Sequence, residues 1–304
     1  MVLNQHVLEG AVSLNSALKL TFGTPQGFWW ITSHFDPGQY ILTRLYREEG
    51  GAETICQLRM SSQDRLAYLS FFGGNDQITD GDLAVILYDL GQSTQQLGAM
   101  HMVAEVDHKH PLLERMKSLG FGVSAWQDIW KLNLHAPYPV DLEQKAEWCP
   151  LAEVDWWQAV QLLQSIIPPI SQITDLPHRH HSRFWVCHQA ESIIAFADVR
   201  PGPRGIWVQP TFSPEVSRIP DLLCYLANSL PARLSRPIFL SVRSYQSWLF
   251  RSIEQMDAEY VGHQAILIKH LVGFVKEFSP AELLRLDKRK TKPSHTVIPT
   301  RPAQ

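Results

Sequence analysis

One short block does most to limit the folds open to this chain. Residues 97–132 read as strand, helix, strand: "AMHMVAEV", then "HPLLERMKSLGF" (His110 to Phe121), then "GVSAWQDIWKL". The flanking runs have strand-like apolar patterning. The middle run has Pro at its second position, an apolar stripe through Leu112, Leu113, Met116 and Leu119, and a Gly-Phe end. That pattern predicts one short amphipathic helix stopped by glycine. Residues 236–272 repeat the order with "IFLSVRSY", "LFRSIEQMDAEY" and "QAILIKHL". The offset is roughly 137–139 residues, far beyond the spacing of a solenoid repeat, so each copy closes a whole domain. Gln127 answers to Gln264, and Lys131 to Lys269.

Upstream of each copy the pattern predicts three strands and a helix. In the first half the strands are "QYILTRLYRE", "ETICQLRM" and "DRLAYLSFF", with "EGG" a turn and "GGNDQITDG" a loop before the helix "DLAVILYDLGQSTQQL". Two short helices are expected over 12–35, parted by Pro25 and Gly27. In the second half "DWWQAVQLLQSIIPPI" carries apolar residues at helical spacing and is stopped by Pro168. "RFWVCHQ", "SIIAFADV" and "GIWVQP" are strands, and "PEVSRIPDLLCYLANSL" is a helix. The periodicity lapses over 133–146, which reads as a linker. The expected division is 1–135 and 136–278, followed by a polar, basic tail at 279–304 ("DKRKTKP") that reads as disordered. The fold class is α/β, with a mixed (α+β) sheet in each domain.

Composition sets outer bounds. With 304 residues, 45% of them hydrophobic, two ordinary cores can form. The formal net charge of −3 argues against nucleic acid as the main partner. No apolar run approaches about 20 residues, so no membrane span is expected. The opening "MVLNQHVLEG" lacks the pattern of a secretion signal. Cys56, Cys149, Cys187 and Cys224 have no CxxC spacing and read as reduced thiols of a cytoplasmic protein.

The element order, and above all a strand followed by "LLERMKSLGF" and a final strand, resembles the GNAT acetyltransferase superfamily, whose penultimate helix commonly ends in Gly-Phe, as at Gly120-Phe121. The second half, with "GIWVQP" and "RPIFLSVRSYQSWL", looks like the divergent C-terminal half of tandem GNAT-like bacterial proteins. The resemblance implies two GNAT-like domains and acetyl-CoA or another acyl-CoA as co-substrate, with no metal. In that fold the fourth and fifth strands splay apart. The pantetheine arm pairs with fourth-strand backbone, and the pyrophosphate sits on N–H groups at the start of the following helix.

Carried onto this chain, the resemblance names candidates. The first half offers Phe72, Gly73 and Gly74 for the cofactor, although Asp76, Asp80 and Asp82 put negative charge where a phosphate would sit. A plain Gly-rich turn with a capped helix explains the same residues. The second half offers Trp207, Val208 and Gln209, with "FLSV" (239–242) as the opposite wall, but Pro210 and Pro214 each delete a donor. The family's thiolate-protonating Tyr is replaced by Met116 in the first half. Tyr245 is the nearest candidate in the second, and Glu105, or Asp107 beside it, is the candidate general base. His178, His180 and His181 read as a polar loop, and the Trp pairs at 29–30 and 156–157 as core-facing helix aromatics. Two functions stay open: an acyl-CoA-dependent N-acyltransferase with at least one degenerate domain, or a non-catalytic binding module on the same fold. The acceptor, amine or protein, and the oligomeric state are not legible in the residues.

Overall fold

The computed structural model describes residues 11–23, 39–47, 53–61, 65–74, 78–132, 146–177, 183–230, 236–256 and 258–271. The first half runs β1 (Val12–Ser13), α1 (Ser16–Phe22), β2 (Gln39–Arg47), β3 (Glu53–Ser61), β4 (Leu66–Gly74), α2 (Asp80–Gln96), β5 (His101–Asp107), α3 (Leu112–Ser118) and β6 (Gly122–Leu132). The second runs β7 (Ala146–Pro150), α4 (Trp156–Ile166), α5 (Pro169–Asp175), β8 (Phe184–Gln189), β9 (Ser192–Pro201), β10 (Ile206–Phe212), α6 (Ile219–Ser229), β11 (Ile238–Arg243), α7 (Trp248–Glu254) and β12 (Glu259–His270). Both strand–helix–strand blocks are present as the sequence predicts.

The glycine stop of α3 has a specific geometry. Gly120 takes φ 88°, the Gly120 N–H bonds the Lys117 carbonyl at 3.0 Å, and the Phe121 N–H bonds Met116 at 3.1 Å. That is the paired-bond helix ending in which glycine accepts the left-handed turn and the next residue packs back. Phe121 and Met116 are both buried.

Several expectations need correction. The stretch from residue 12 opens with a strand, not a helix. Gly73 and Gly74 continue β4 instead of forming a loop, paired with Ile55 and Thr54. Trp157 is 68% exposed, not core-facing. It lies two residues before the buried Ala159, about 200° round the helix from it. The helix expected from Pro214 begins only at Ile219, because Pro220 is tolerated only in a first turn, where its missing N–H is not needed. A separate helix, α5, follows α4. The second short helix ("GFWWITSHF"), most of the linker, the His178–His181 run and the tail lie outside the described residues.

Two compact units emerge, and they do not divide at 135/136. Unit 1 comprises 1–19, 23–123 and 266–304; unit 2 comprises 20–22 and 124–265. In unit 1 the strand order is β2-β3-β4-β5 and then the last residues of β12. In unit 2, β11 is flanked by β6, and the order continues β10-β9-β8-β7. Each half of the sequence therefore gives its final strand, wholly or in part, to the unit built by the other half. Inside unit 2, Gln127 donates to Gln264 at 2.9 Å and Lys131 to Glu259 at 2.8 Å, so the first of the two matched pairs is a direct contact. The core of unit 2 gathers Val208, Phe212, Leu222, Leu226, Leu240 and Val242 beneath α6 and α7. The four cysteines are free thiols, and burial, then Cys149, pushes the Cys187 thiol up to about 12.

Candidate functional site

Each unit contains one parallel strand pair that begins bonded and then parts. In unit 1, β4 and β5 pair at Leu66 with His101, Ala67 with Met102 and Tyr68 with Val103. In unit 2, β10 and β11 pair at Ile206 with Ile238, Trp207 with Phe239 and Val208 with Leu240. Beyond three pairs each opens into a V. The cause in unit 2 is legible in the backbone. Alternate residues of a strand address opposite neighbours. The Ile206 N–H reaches toward β11, onto Pro237 at 2.9 Å, so the same edge next presents Val208 and then residue 210. Residue 210 is Pro, which has no N–H to continue the ladder.

A parted pair leaves buried N–H and C=O groups that need partners. In unit 1 the chain supplies them from its own leading segment. β1 pairs antiparallel with β4, Val12 with Phe72 and Ser13 with Phe71. The next residue spans both walls: the Leu14 N–H donates to the Ser70 carbonyl at 3.0 Å, and the Leu14 carbonyl accepts from the Glu105 N–H at 2.9 Å. The Leu14 side chain is buried at 2% exposure. Asn15 caps α1 by accepting from the Leu18 N–H at 3.0 Å.

In unit 2 a single side chain does the same. The Gln246 amide donates to the Pro210 carbonyl at 3.1 Å and accepts from the Phe212 N–H at 3.1 Å. The Ser213 N–H bonds Ile194 on β9, so the Phe212 N–H faces the other way, into the V. Gln246 is fully buried. Its amide presents to β10 the donor and acceptor that an extended ligand would present.

Beside that V lies a closed polar network. α5 is tethered to β6 by Ser171, which donates to the Ser124 carbonyl at 2.7 Å, and so delivers Asp175 from its C-terminal end. Arg243 ends β11 opposite Gln127 on β6. Its Nε and Nη2 grip Asp175 at 3.0 and 2.8 Å, and Nη2 also donates to Gln209 at 3.0 Å. Its Nη1 donates to Gln127 and, at 3.4 Å, to Ser241. All five guanidinium donors have partners within the protein. The Tyr245 hydroxyl donates to Asp175 at 2.9 Å, and burial first, then the Asp175 charge, hold that hydroxyl well above its ordinary pKa.

The structure brings two of the sequence candidates, Gln209 and Tyr245, into this one network, and adds Asp175, Arg243 and Gln127. Trp207 and Val208 are buried and committed to pairing with β11, so the V opens one step later than "IWVQ" implies. Phe72 pairs with Cys56 on one side and Val12 on the other. Gly74 has φ 144°, and a Cβ there would meet the Glu53 carbonyl at 2.7 Å. The Glu105 carboxylate accepts from the Ser16 N–H at 2.6 Å. Asp107 is an exposed strand end. Sequence reading missed Leu14 and Gln246 because neither belongs to a motif.

The helix starts that would face a pyrophosphate carry acid. Thr79 caps α2 by accepting from the Asp82 N–H at 3.1 Å, and the Asp80 carboxylate holds Arg115 at 2.6 Å. At α6, Arg218 adopts a left-handed φ of 59° and pairs with Asp221 at 2.6 Å, while Pro220 removes a donor. Neither start fits an anionic phosphate pair. Among the described residues no group of three His, Cys, Asp or Glu converges on a metal position, and no helix is long and apolar enough to cross a membrane.

A mixed sheet opening once between parallel strands in each unit defines an α/β fold with one splayed strand pair per unit. No family model matches the sequence and no curated protein matches it. Solved structures do. A tandem GNAT protein from the clavulanic acid biosynthesis pathway is similar at TM-score 0.50 and 9% identity, covering 88% of this chain and 93% of that one. A GCN5-related N-acetyltransferase from Sphaerobacter thermophilus is similar at TM-score 0.50 and 12% identity, covering 80% and 83%. A conserved protein of unknown function from Staphylococcus epidermidis is similar at TM-score 0.50 and 10% identity, covering 71% and 90%. The fold of this chain is the GNAT fold, in a divergent form.

Proposed function

We propose that this chain is a non-catalytic binding module built on the GNAT fold. One observation carries the reading: in both units the strand edges that an acyl-CoA arm would pair with are bonded by the chain itself, through Leu14 in unit 1 and Gln246 in unit 2. The polar network supports it. Arg243 has no donor left for a ligand, and the Tyr245 proton is aimed at Asp175, not at a leaving group. The acidic helix starts oppose the pyrophosphate. Acyl-CoA therefore does not fit the residues present.

Thermal melting of the full chain with acetyl-CoA tests this. A ligand at 100 times its Kd adds about 2.7 kcal/mol of apparent stability, enough to raise Tm by several degrees. The expected result at millimolar acetyl-CoA is no shift, and a rise of several degrees overturns the reading.

The alternative is an acyl-CoA-dependent N-acyltransferase working from unit 2. It is favoured by one observation: among the described residues a single side chain, Gln246, bonds the parted edge of β10 there. Gln246→Ala separates the two. Acetyl-CoA binding by that variant marks the V as a vacated acyl-CoA site, and a variant that folds and binds none supports the non-catalytic reading.

A further inference from the structure

The segment that bonds the V of unit 1 is itself an extended peptide, and it meets the groove in a way any extended peptide could copy. The groove has fixed features of its own. The Ser70 carbonyl projects from β4 and the Glu105 N–H from β5, and Leu14 answers both. Ser70 sits at a bulge: Gln57 pairs with Phe71 and Leu58 with Leu69, so Ser70 is the extra residue that bends β4 away. Side-chain selection comes from a buried seat that takes Leu14 whole. The Glu105 carboxylate, accepting from the Ser16 N–H, fixes where the extended stretch ends.

The hold on this segment is short. β1 has two residues, and its ladder with β4 has two pairs. The second half shows that the fold does not need its first strand in this place. β7 pairs along β8, Trp148 against Cys187, while Gln246 bonds the edge of the V. Among the described residues, only the first half puts a main-chain strand there.

We propose that the V of unit 1 is an acceptor groove for an extended peptide, with residues 11–16 as its resident occupant. The proposal rests on the reading that acyl-CoA does not use this groove. The peptide class follows from the contacts. The central residue is Leu or similar in size, cannot be Pro because its N–H is required, and is flanked by small polar residues such as Ser13 and Asn15. Recognition is by strand addition, in which backbone bonds give affinity and one pocket gives selectivity.

The test uses the full chain carrying Leu14→Lys, which puts a charge into the apolar seat and so ejects the segment. The probe is a fluorescein-labelled peptide of residues 9–17, EGAVSLNSA, read by fluorescence anisotropy. In the unaltered protein the tethered segment competes at an effective concentration of about millimolar. The variant should therefore bind the probe at least about tenfold more tightly than the unaltered protein does. A probe with Lys in place of Leu should not bind. A folded L14K protein that binds no better than the unaltered one overturns the proposal. Should L14K fail to fold, it is refolded with and without the peptide: recovery of a cooperative melt supports the groove, and no recovery overturns it. Acetyl-CoA serves as competitor. Displacement of the probe by acetyl-CoA overturns the reading of the preceding section, whereas failed probe binding without acetyl-CoA binding overturns only this one.

Discussion

At the scale of single residues, the network around Arg243 and Asp175 is buried polarity answered within the protein. Arg243 and Asp175 have side chains 6% and 1% exposed, so removing either one leaves the other as an uncompensated buried charge. Arg243→Met should cost about 3–5 kcal/mol, since it strands a buried carboxylate. Asp175→Leu combined with Arg243→Met should cost less than Arg243→Met alone, because no lone charge remains. Urea melts of the two single variants and the double variant measure the coupling. Gln246 is a neutral case of the same logic. Gln246→Ala orphans the Phe212 N–H and the Pro210 carbonyl, at about 1–3 kcal/mol for each buried group left unpaired. Gln246→Glu should not rescue it, since a carboxylate cannot donate to Pro210 and brings a charge into a dry site. If Gln246→Ala melts like the unaltered protein, the edge of β10 does not depend on that amide.

Among the elements, the contrast between what the sequence shows and what it hides has a physical basis. The strand–helix–strand blocks are legible because period, proline entry and glycine exit act locally and agree, as at Pro111 and Gly120. Gln209 and Tyr245 were legible as candidates through family resemblance. Their partners were not: Asp175 and Arg243 are 68 residues apart, and nothing local marks either. β1 was hidden for the same reason. Two residues have no periodicity, and what makes Val12–Ser13 a strand is the bare edge of β4, more than fifty residues on. The start of α6 is an intermediate case: Pro220 is visible in the sequence, but the boundary at Ile219 also depends on the left-handed turn at Arg218. A local test is available at the β8–β9 hairpin. Ala190 holds φ 56°, a left-handed conformation that costs a side-chain-bearing residue about 1 kcal/mol. Ala190→Gly should therefore raise stability by roughly 0.5–1 kcal/mol, visible as a higher urea midpoint at unchanged slope. A lower midpoint would mean that the turn is not strained.

For the whole molecule, the composition of the two units decides what can be cut. Unit 1 includes Ile266 onward, and unit 2 includes Ser124–Leu132. A fragment of residues 1–135 should thus fail to give a cooperative melt alone, as should 136–304, while a mixture of the two should recover one. A cooperative transition in either fragment alone would show that the borrowed strand is dispensable. Ending the chain after Phe278 should leave the melt unchanged, since the sequence beyond it lacks the periodic apolar residues needed to dock. Ending it before Ile266 should abolish the fold of unit 1. The same feature fixes an order of events on the ribosome. Residues up to Val123 emerge early, yet the strand that completes their sheet is translated more than a hundred residues later, which at 5–20 residues per second is a wait of roughly 7–30 seconds. Throughout that interval the nascent chain holds an open β5 edge, and it is then, not in the finished protein, that this molecule most depends on a chaperone or on slow expression.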